Sequence, residues 1–285
     1  MSRMARWFGM ASWVAVVVIA LASPASAQRG HNSSDDAVGA RGNPGVLPPG
    51  SNPYGKSYGE WGAAWWQWVF SSPWPQNPLN DPTGANAAQG QSGPVWFLAG
   101  TVCTGNACNL LTANRTSTVP PGKALLFPIL NTECSTYEGN GSTEADLLAC
   151  ATGAIDSGTG LECDVDGTSL VNLGDYRAHS ALFTWGPLPA DNLFDGLGFP
   201  TPAGTTSPAV QDGYYVMLAP LPAGTHTVHF TGAYAGFSTL DIVYHLTVQG
   251  NGKSVSTAVP ASLTAPATDA EGRHVTWGKL KAAYR

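Results

Sequence analysis

The residue types that could do chemistry here are aromatic and carboxylic. Lys56, Glu60, Trp65, Trp66 and Gln67 fall within twelve positions of each other. That is the composition of a sugar-binding platform, in which ring faces stack on apolar sugar faces while amides and carboxylates bond hydroxyls. These five are the candidate binding residues. A plainer role competes, because Trp61, Trp65 and Trp68 recur at helical spacing and so point into a core. The acids Glu60, Glu133, Glu138, Glu144, Asp166 and Asp175 offer many pairs for glycoside hydrolysis, which needs only two carboxylates at a set separation. Which of them meet is decided by the fold.

Other reactive patterns are incomplete, and no catalytic residue is assigned. Gly90-Gln91-Ser92-Gly93-Pro94 departs from G-x-S-x-G at its last position, and neither H-E-x-x-H nor S-x-x-K occurs. His226 and His229 are three apart on one predicted strand and point to opposite faces, so only His229 and His245 could meet across a hairpin. Solvent-facing histidines are the simpler expectation. Asp164-Val165-Asp166-Gly167 lacks the third acid and distal Glu of a calcium loop and reads better as a turn. The five cysteines lack the paired spacing of a structural zinc site. No metal and no cofactor is expected. Disulfides Cys103–Cys108 and Cys134–Cys150 are the expected pairs, leaving Cys163 free or buried.

The compartment follows from the amino terminus. Arg3 and Arg6, the apolar run from Met10 to Ala22 and Ala25-Ser26-Ala27 make residues 1–27 a cleavable signal peptide. The apolar run is shorter than the roughly 18 residues a membrane span requires, so no stable membrane insertion is expected after cleavage. The product is then secreted, extracellular or periplasmic. The formal charge is −6, and losing Arg3 and Arg6 makes it more negative, which disfavours nucleic acid as a partner.

The elements that must position the candidate residues are short. Residues 28–53 read as a flexible linker, 54–250 as one β-rich domain and 251–285 as a loosely packed Ala/Thr/Pro-rich tail. A Trp-rich helix starts at a Ser57/Glu60 capping box and ends before Pro73. A second helix is predicted over Thr143 to Ala151, capped by Thr143 with Asp146. Aromatic and β-branched runs at Pro94 to Thr101, Lys123 to Leu130, Ser180 to Trp185, Tyr214 to Ala219, Thr225 to Thr231 and Leu240 to Val248 read as strands. Asp166-Gly167 is a hairpin signal. The expected fold is mainly β, a β-sandwich or jelly roll of antiparallel sheets with two helices.

Tyr54-Gly55-Lys56-Ser57-Tyr58-Gly59-Glu60-Trp61, the following Trp65-Trp66-Gln67-Trp68, and Gly90 to Leu98 resemble a family of secreted bacterial proteins of unknown function. The resemblance extends through Pro120 to Cys134 and Asp212 to Phe230. It implies no activity, substrate or catalytic residue. The expected role is a secreted, non-catalytic binding or structural protein, with a carbohydrate or cell-surface ligand. The alternative is a secreted carboxylate-based hydrolase such as a glycosidase.

Overall fold

The computed structural model describes residues 43–102, 110–234 and 238–250. The expected signal peptide, the Cys103–Cys108 pair and the tail lie outside the described residues. Those described form nine strands: β1 (Val95–Phe97), β2 (Leu110–Val119), β3 (Ala124–Ser135), β4 (Gly158–Val165), β5 (Thr168–Ser169), β6 (Phe183–Trp185), β7 (Ser207–Leu218), β8 (Gly224–Tyr234) and β9 (Ser238–Val248). Three α-helices join them, α1 (Tyr58–Phe70), α2 (Glu144–Ile155) and the single turn α3 (Leu193–Gly196).

The strands form a four-stranded sheet in the order β1-β3-β7-β6 and a five-stranded sheet in the order β2-β9-β8-β4-β5. The fold is mainly β and sandwich-like, as expected, but the sheets are mixed and not purely antiparallel. β1 pairs with β3 and β2 with β9 in parallel. The chain leaves the first sheet after β1, lays β2 in the second, and returns with β3 beside β1. A parallel neighbour requires such a crossover, and here the opposite sheet supplies it.

Burial divides the molecule into three layers. β3 and β7 send Leu126, Tyr215 and Met217 toward α1, and Leu125, Phe127, Val216 and Leu218 toward the second sheet. A strand covered on both faces reads as a continuous apolar run, which is what Ala124 to Leu130 is. β9 is covered on one face only and alternates, with Ile242, Tyr244, Leu246 and Val248 inward as expected. Asp166 and Gly167 take φ of 52° and 77°, the positive pair that a type I′ turn between β4 and β5 demands.

The Ser57/Glu60 capping box forms as predicted, with Ser57 N–H donating to Glu60 Oε2 at 2.7 Å and Glu60 N–H donating to Ser57 Oγ at 3.2 Å. Gly59 and Gly62 bring the helix down onto the sheet layer: a Cβ on Gly59 would stand 2.0 Å from the His179 carbonyl oxygen, and one on Gly62 2.5 Å from the Gln211 amide. α2 begins at its Thr143/Asp146 box and runs on to Ile155, one turn beyond the expected Ala151. The Cys134–Cys150 disulfide is present and fastens α2 to the end of β3, where Leu147 and Ala151 pack with Val210. Arg177 ties the other end, donating to Thr152 O as well as to Asp156 and Asp212.

Two stretches differ from the reading of the sequence. From Asn43 onward, the segment read as linker is held to the domain: Asn43 bonds Val171 and Tyr176, and Leu47 N–H donates to Met217 O at 2.8 Å. β2 has no counterpart among the expected strands. Its Leu-Leu-Thr-Ala-Asn-Arg-Thr-Ser-Thr-Val is mostly polar, yet Ala113, Arg115, Ser117 and Val119 alternate inward.

Candidate functional site

The solvent side of α1 forms one wall of a groove of about 490 Å³. Trp61, Trp68 and Phe97 make its apolar floor, with Phe97 against Trp61 at 6.2 Å and against Trp68 at 5.4 Å between ring centres. Lys56 and Gln67 line it, facing the turn at Gly90, Ser92 and Gly93. The Lys56 ammonium lies over the Trp61 ring, 4.9 Å from its centre, a cation–π contact. At the rim stands Tyr54, 44% exposed, with φ 55° and ψ 28°. Asn52 and Gly55 flank it, also at positive φ. A bulky residue in the left-handed region costs on the order of 1–3 kcal/mol and persists only where its surroundings fix it.

The five candidate binding residues therefore separate. Lys56 and Gln67 meet on the groove, and the Gln67 amide also donates to Thr184 O at 2.9 Å. Glu60 is exposed, and its carboxylate is committed to the helix cap, which holds it below the usual carboxylate range through its bonds from Ser57. Trp65 is 1% exposed and donates its indole N–H to Leu98 O. Trp66 meets Trp65 edge-on at 5.1 Å and stacks on Phe70 at 5.6 Å. Both line a smaller cavity of about 240 Å³ that Asn131 and Tyr234 share. Tyr54, Ser92 and Phe97 complete the groove. Only the Tyr54-Gly55 step, set between prolines and the helix cap, hinted at this in the sequence.

Of the six acids, the fold brings Glu133 and Glu138 together. Asp166 instead pairs with His226 at 2.7 Å, and Glu144 accepts from Leu182 N–H at 3.0 Å. Asp175 sits exposed in a 3₁₀ turn. Glu133 points from β3 to the α1 side of the sheet, opposite Gln211 on β7. Burial holds its carboxyl well above the usual range, the adjoining Glu138 carboxyl raises it further through a side-chain contact and like charge, and the Trp185 indole beside it pulls weakly the other way. Glu133 Oε2 and Trp185 Nε1 are both sequestered without a hydrogen-bond partner.

Glu138 opens onto a second cleft, about 650 Å³ in volume, whose other lining includes Tyr137, Asn140, Phe194, Phe199 and Thr201. The loop after β3 supplies Tyr137, Glu138 and Asn140, while α3 and the turn behind it supply the rest. Asn192 caps α3, and Asp195 returns bonds to Asn192 N–H and Thr201 N–H. Tyr137 is 45% exposed and Phe199 is 67% exposed. No pattern in the sequence marked these aromatic positions, because they come from turns without periodicity.

The remaining polar constellations are structural. His226 bonds Asp166 and Pro222 O, while His229 bonds Asp241. His229 stands opposite Val243 and His245 opposite Thr227, so the two histidines are not cross-strand partners. Arg115 is buried on β2 and donates to the carbonyls of Pro78, Asp81, Ala99 and Gly100 and to the Tyr244 hydroxyl, fixing the loops on both sides of β1. Cys163 is free and buried, and burial pushes its thiol up to about 12. Among the described residues, no group of three or more His, Cys, Asp or Glu is arranged to hold a metal ion, and no helix is long and apolar enough to cross a membrane.

No family model matches the chain, and no curated protein does. Among solved structures the chain is similar to the cysteine protease inhibitor EhICP2 of Entamoeba histolytica, at 12% identity over 50% of this chain and 95% of that one, with a TM-score of 0.18. It is also similar to Amebosin, at 12% identity over 50% of this chain and 100% of that one, with a TM-score of 0.16. Neither likeness carries an argument at those scores, and function is argued from the groove and the cleft.

Proposed function

We propose that this is a secreted, non-catalytic binding protein whose groove along α1 takes a carbohydrate. The observation that carries the reading is Tyr54, an exposed ring held at positive φ over a floor of Trp61, Phe97 and Trp68, with Lys56 and Gln67 alongside. An aromatic side chain has only two torsions to lose on stacking against a sugar, and the neighbouring ammonium and amide can bond hydroxyls. The amino-terminal signal pattern, the resemblance of the Tyr54 to Trp68 block to secreted bacterial proteins, and a disulfide suited to an oxidising compartment support the address.

A glycan array probed with the chain from Gln28 onward tests the reading. Binding to a defined set of glycans is expected, weakened about tenfold by Tyr54→Ala and by Lys56→Ala, since a stacked ring or a charged hydrogen bond contributes roughly 1.5 kcal/mol. Failure to bind any glycan, or binding that Tyr54→Ala leaves untouched, overturns it. Turnover of a glycoside panel would instead favour the hydrolase.

A further inference from the structure

We propose that the cleft between Tyr137 and Phe199 is a binding site for an organic ammonium ion, held against the ring faces of Tyr137, Phe194 and Phe199 and neutralised by Glu138 with Glu133 behind it. The site is separate from the groove, with which it shares no lining residue.

Three independent features converge on a cation. The first is aromatic: Tyr137, Phe194 and Trp185 pack against one another at 5.6–5.9 Å, and Phe199 extends the apolar wall into solvent. Ring faces present negative quadrupole density, and a cage of them is a recurrent receptor for ammonium groups. The second is charge: Glu138 lines the cleft and no Lys or Arg does. Ser135 Oγ donates to Glu138 Oε2 at 2.5 Å, which orients the carboxyl. The third is Glu133, whose Oε2 is sequestered from solvent and whose carboxyl adjoins Glu138.

The surroundings offer the acid pair no positive charge. From β7 the facing residue is the neutral Gln211, and from β6 it is Trp185. From α3, Asp195 spends both carboxylate oxygens on the backbone of Asn192 and Thr201. Glu144 is turned to Leu182 N–H. Burial and the neighbouring Glu138 keep a proton on Glu133 that a lone carboxyl would lose. An ammonium ion entering beside Glu138 supplies the missing charge, so that proton leaves to solvent as the cation binds. Affinity accordingly rises with pH across the range in which Glu133 gives up its proton.

Titration calorimetry on the chain from Gln28 onward, with choline as the probe and 3,3-dimethylbutanol as its uncharged isostere, tests this. Choline is expected to bind about tenfold or more tightly than the isostere. Measured in two buffers of different ionisation enthalpy, its binding is expected to release protons. Glu138→Gln should abolish the release and weaken choline about tenfold, and Phe199→Ala should weaken it several-fold. Phe199 is largely exposed, so its variant keeps the core intact, and glycan binding in the groove reports that each variant is folded. Should the proposed glycan site prove wrong, the thermal transition reports folding instead. Equal affinity for choline and the isostere, no binding of either, or choline affinity unmoved by Phe199→Ala overturns the proposal.

Discussion

Glu133 is placed at a cost to the fold. A carboxyl buried beside Trp185 and a second acid resists ionisation, and its position on β3, opposite Gln211, leaves no route to bulk water for Oε2. The sign of the pH effect follows. Between the ordinary carboxyl range and the raised value in the native state, the folded protein holds more protons than the unfolded chain, so stability falls as pH rises through that interval. Glutamine keeps the shape and cannot ionise. Glu133→Gln is therefore expected to raise stability at neutral pH by on the order of 1 kcal/mol and to flatten the decline that begins above the ordinary carboxyl range, read as thermal midpoints at several pH values. A variant whose pH profile tracks the native protein would show that Glu133 is ionised at no cost. In the sequence Glu133 was one acid among six. Pairing β3 with β7, and the bulge between Pro128 and Leu130 that resets which face it occupies, were needed to single it out.

At the scale of elements, α2 is held at both ends by different means. The Cys134–Cys150 bond closes a loop with a sequence separation of 16 at the end of β3, and Arg177 grips Thr152 O and the C-cap Asp156 and ties them to Asp212 on β7. By the chain-entropy estimate the bridge contributes about 3 kcal/mol, whereas the guanidinium clamp is indifferent to redox state. Cys134→Ala with Cys150→Ala should accordingly lower the unfolding free energy measured in urea by that amount while leaving the far-UV circular dichroism nearly unchanged, since Arg177 and Leu147 still seat the helix. Loss of the helical signal would assign the disulfide a larger part than closure entropy. Local patterns announced α1 and α2, because each starts at a Ser or Thr cap with an acid three residues on. β2 escaped for the opposite reason. Its inward positions include Arg115 and Ser117, and a buried arginine satisfied by four carbonyls and a tyrosine hydroxyl leaves no apolar periodicity to find. The groove was half legible, through Lys56 just ahead of the α1 cap and Gln67 on the helix. The acidic cleft was not, because its aromatic residues come from turns far apart in the chain.

For the whole molecule, what matters is that the four-stranded sheet belongs to two cores at once. Alternate residues of β3 and β7 pack against the tryptophan helix and against the second sheet, so disturbing one face displaces the backbone that supports the other. Phe127 is the sharpest probe of this coupling. It is fully buried between the sheets and stacks on Phe230 with ring centres 5.0 Å apart, on the face away from α1. Phe127→Ala should cost about 3–5 kcal/mol as a cavity between the sheets. Trp61, Trp65, Trp66, Trp68, Trp74 and Trp185 all lie on the opposite, helix side, so tryptophan emission reports chiefly on the layer the substitution does not touch. If the shared sheet makes the layers one cooperative unit, the midpoint by tryptophan emission falls with the midpoint by far-UV circular dichroism, and the two curves coincide in the variant as in the native protein. An emission transition that stays in place while the dichroism transition moves would mean that α1 and its side of the sheet fold without the second sheet. The groove and the cleft, both built on that side, would then be properties of a smaller unit.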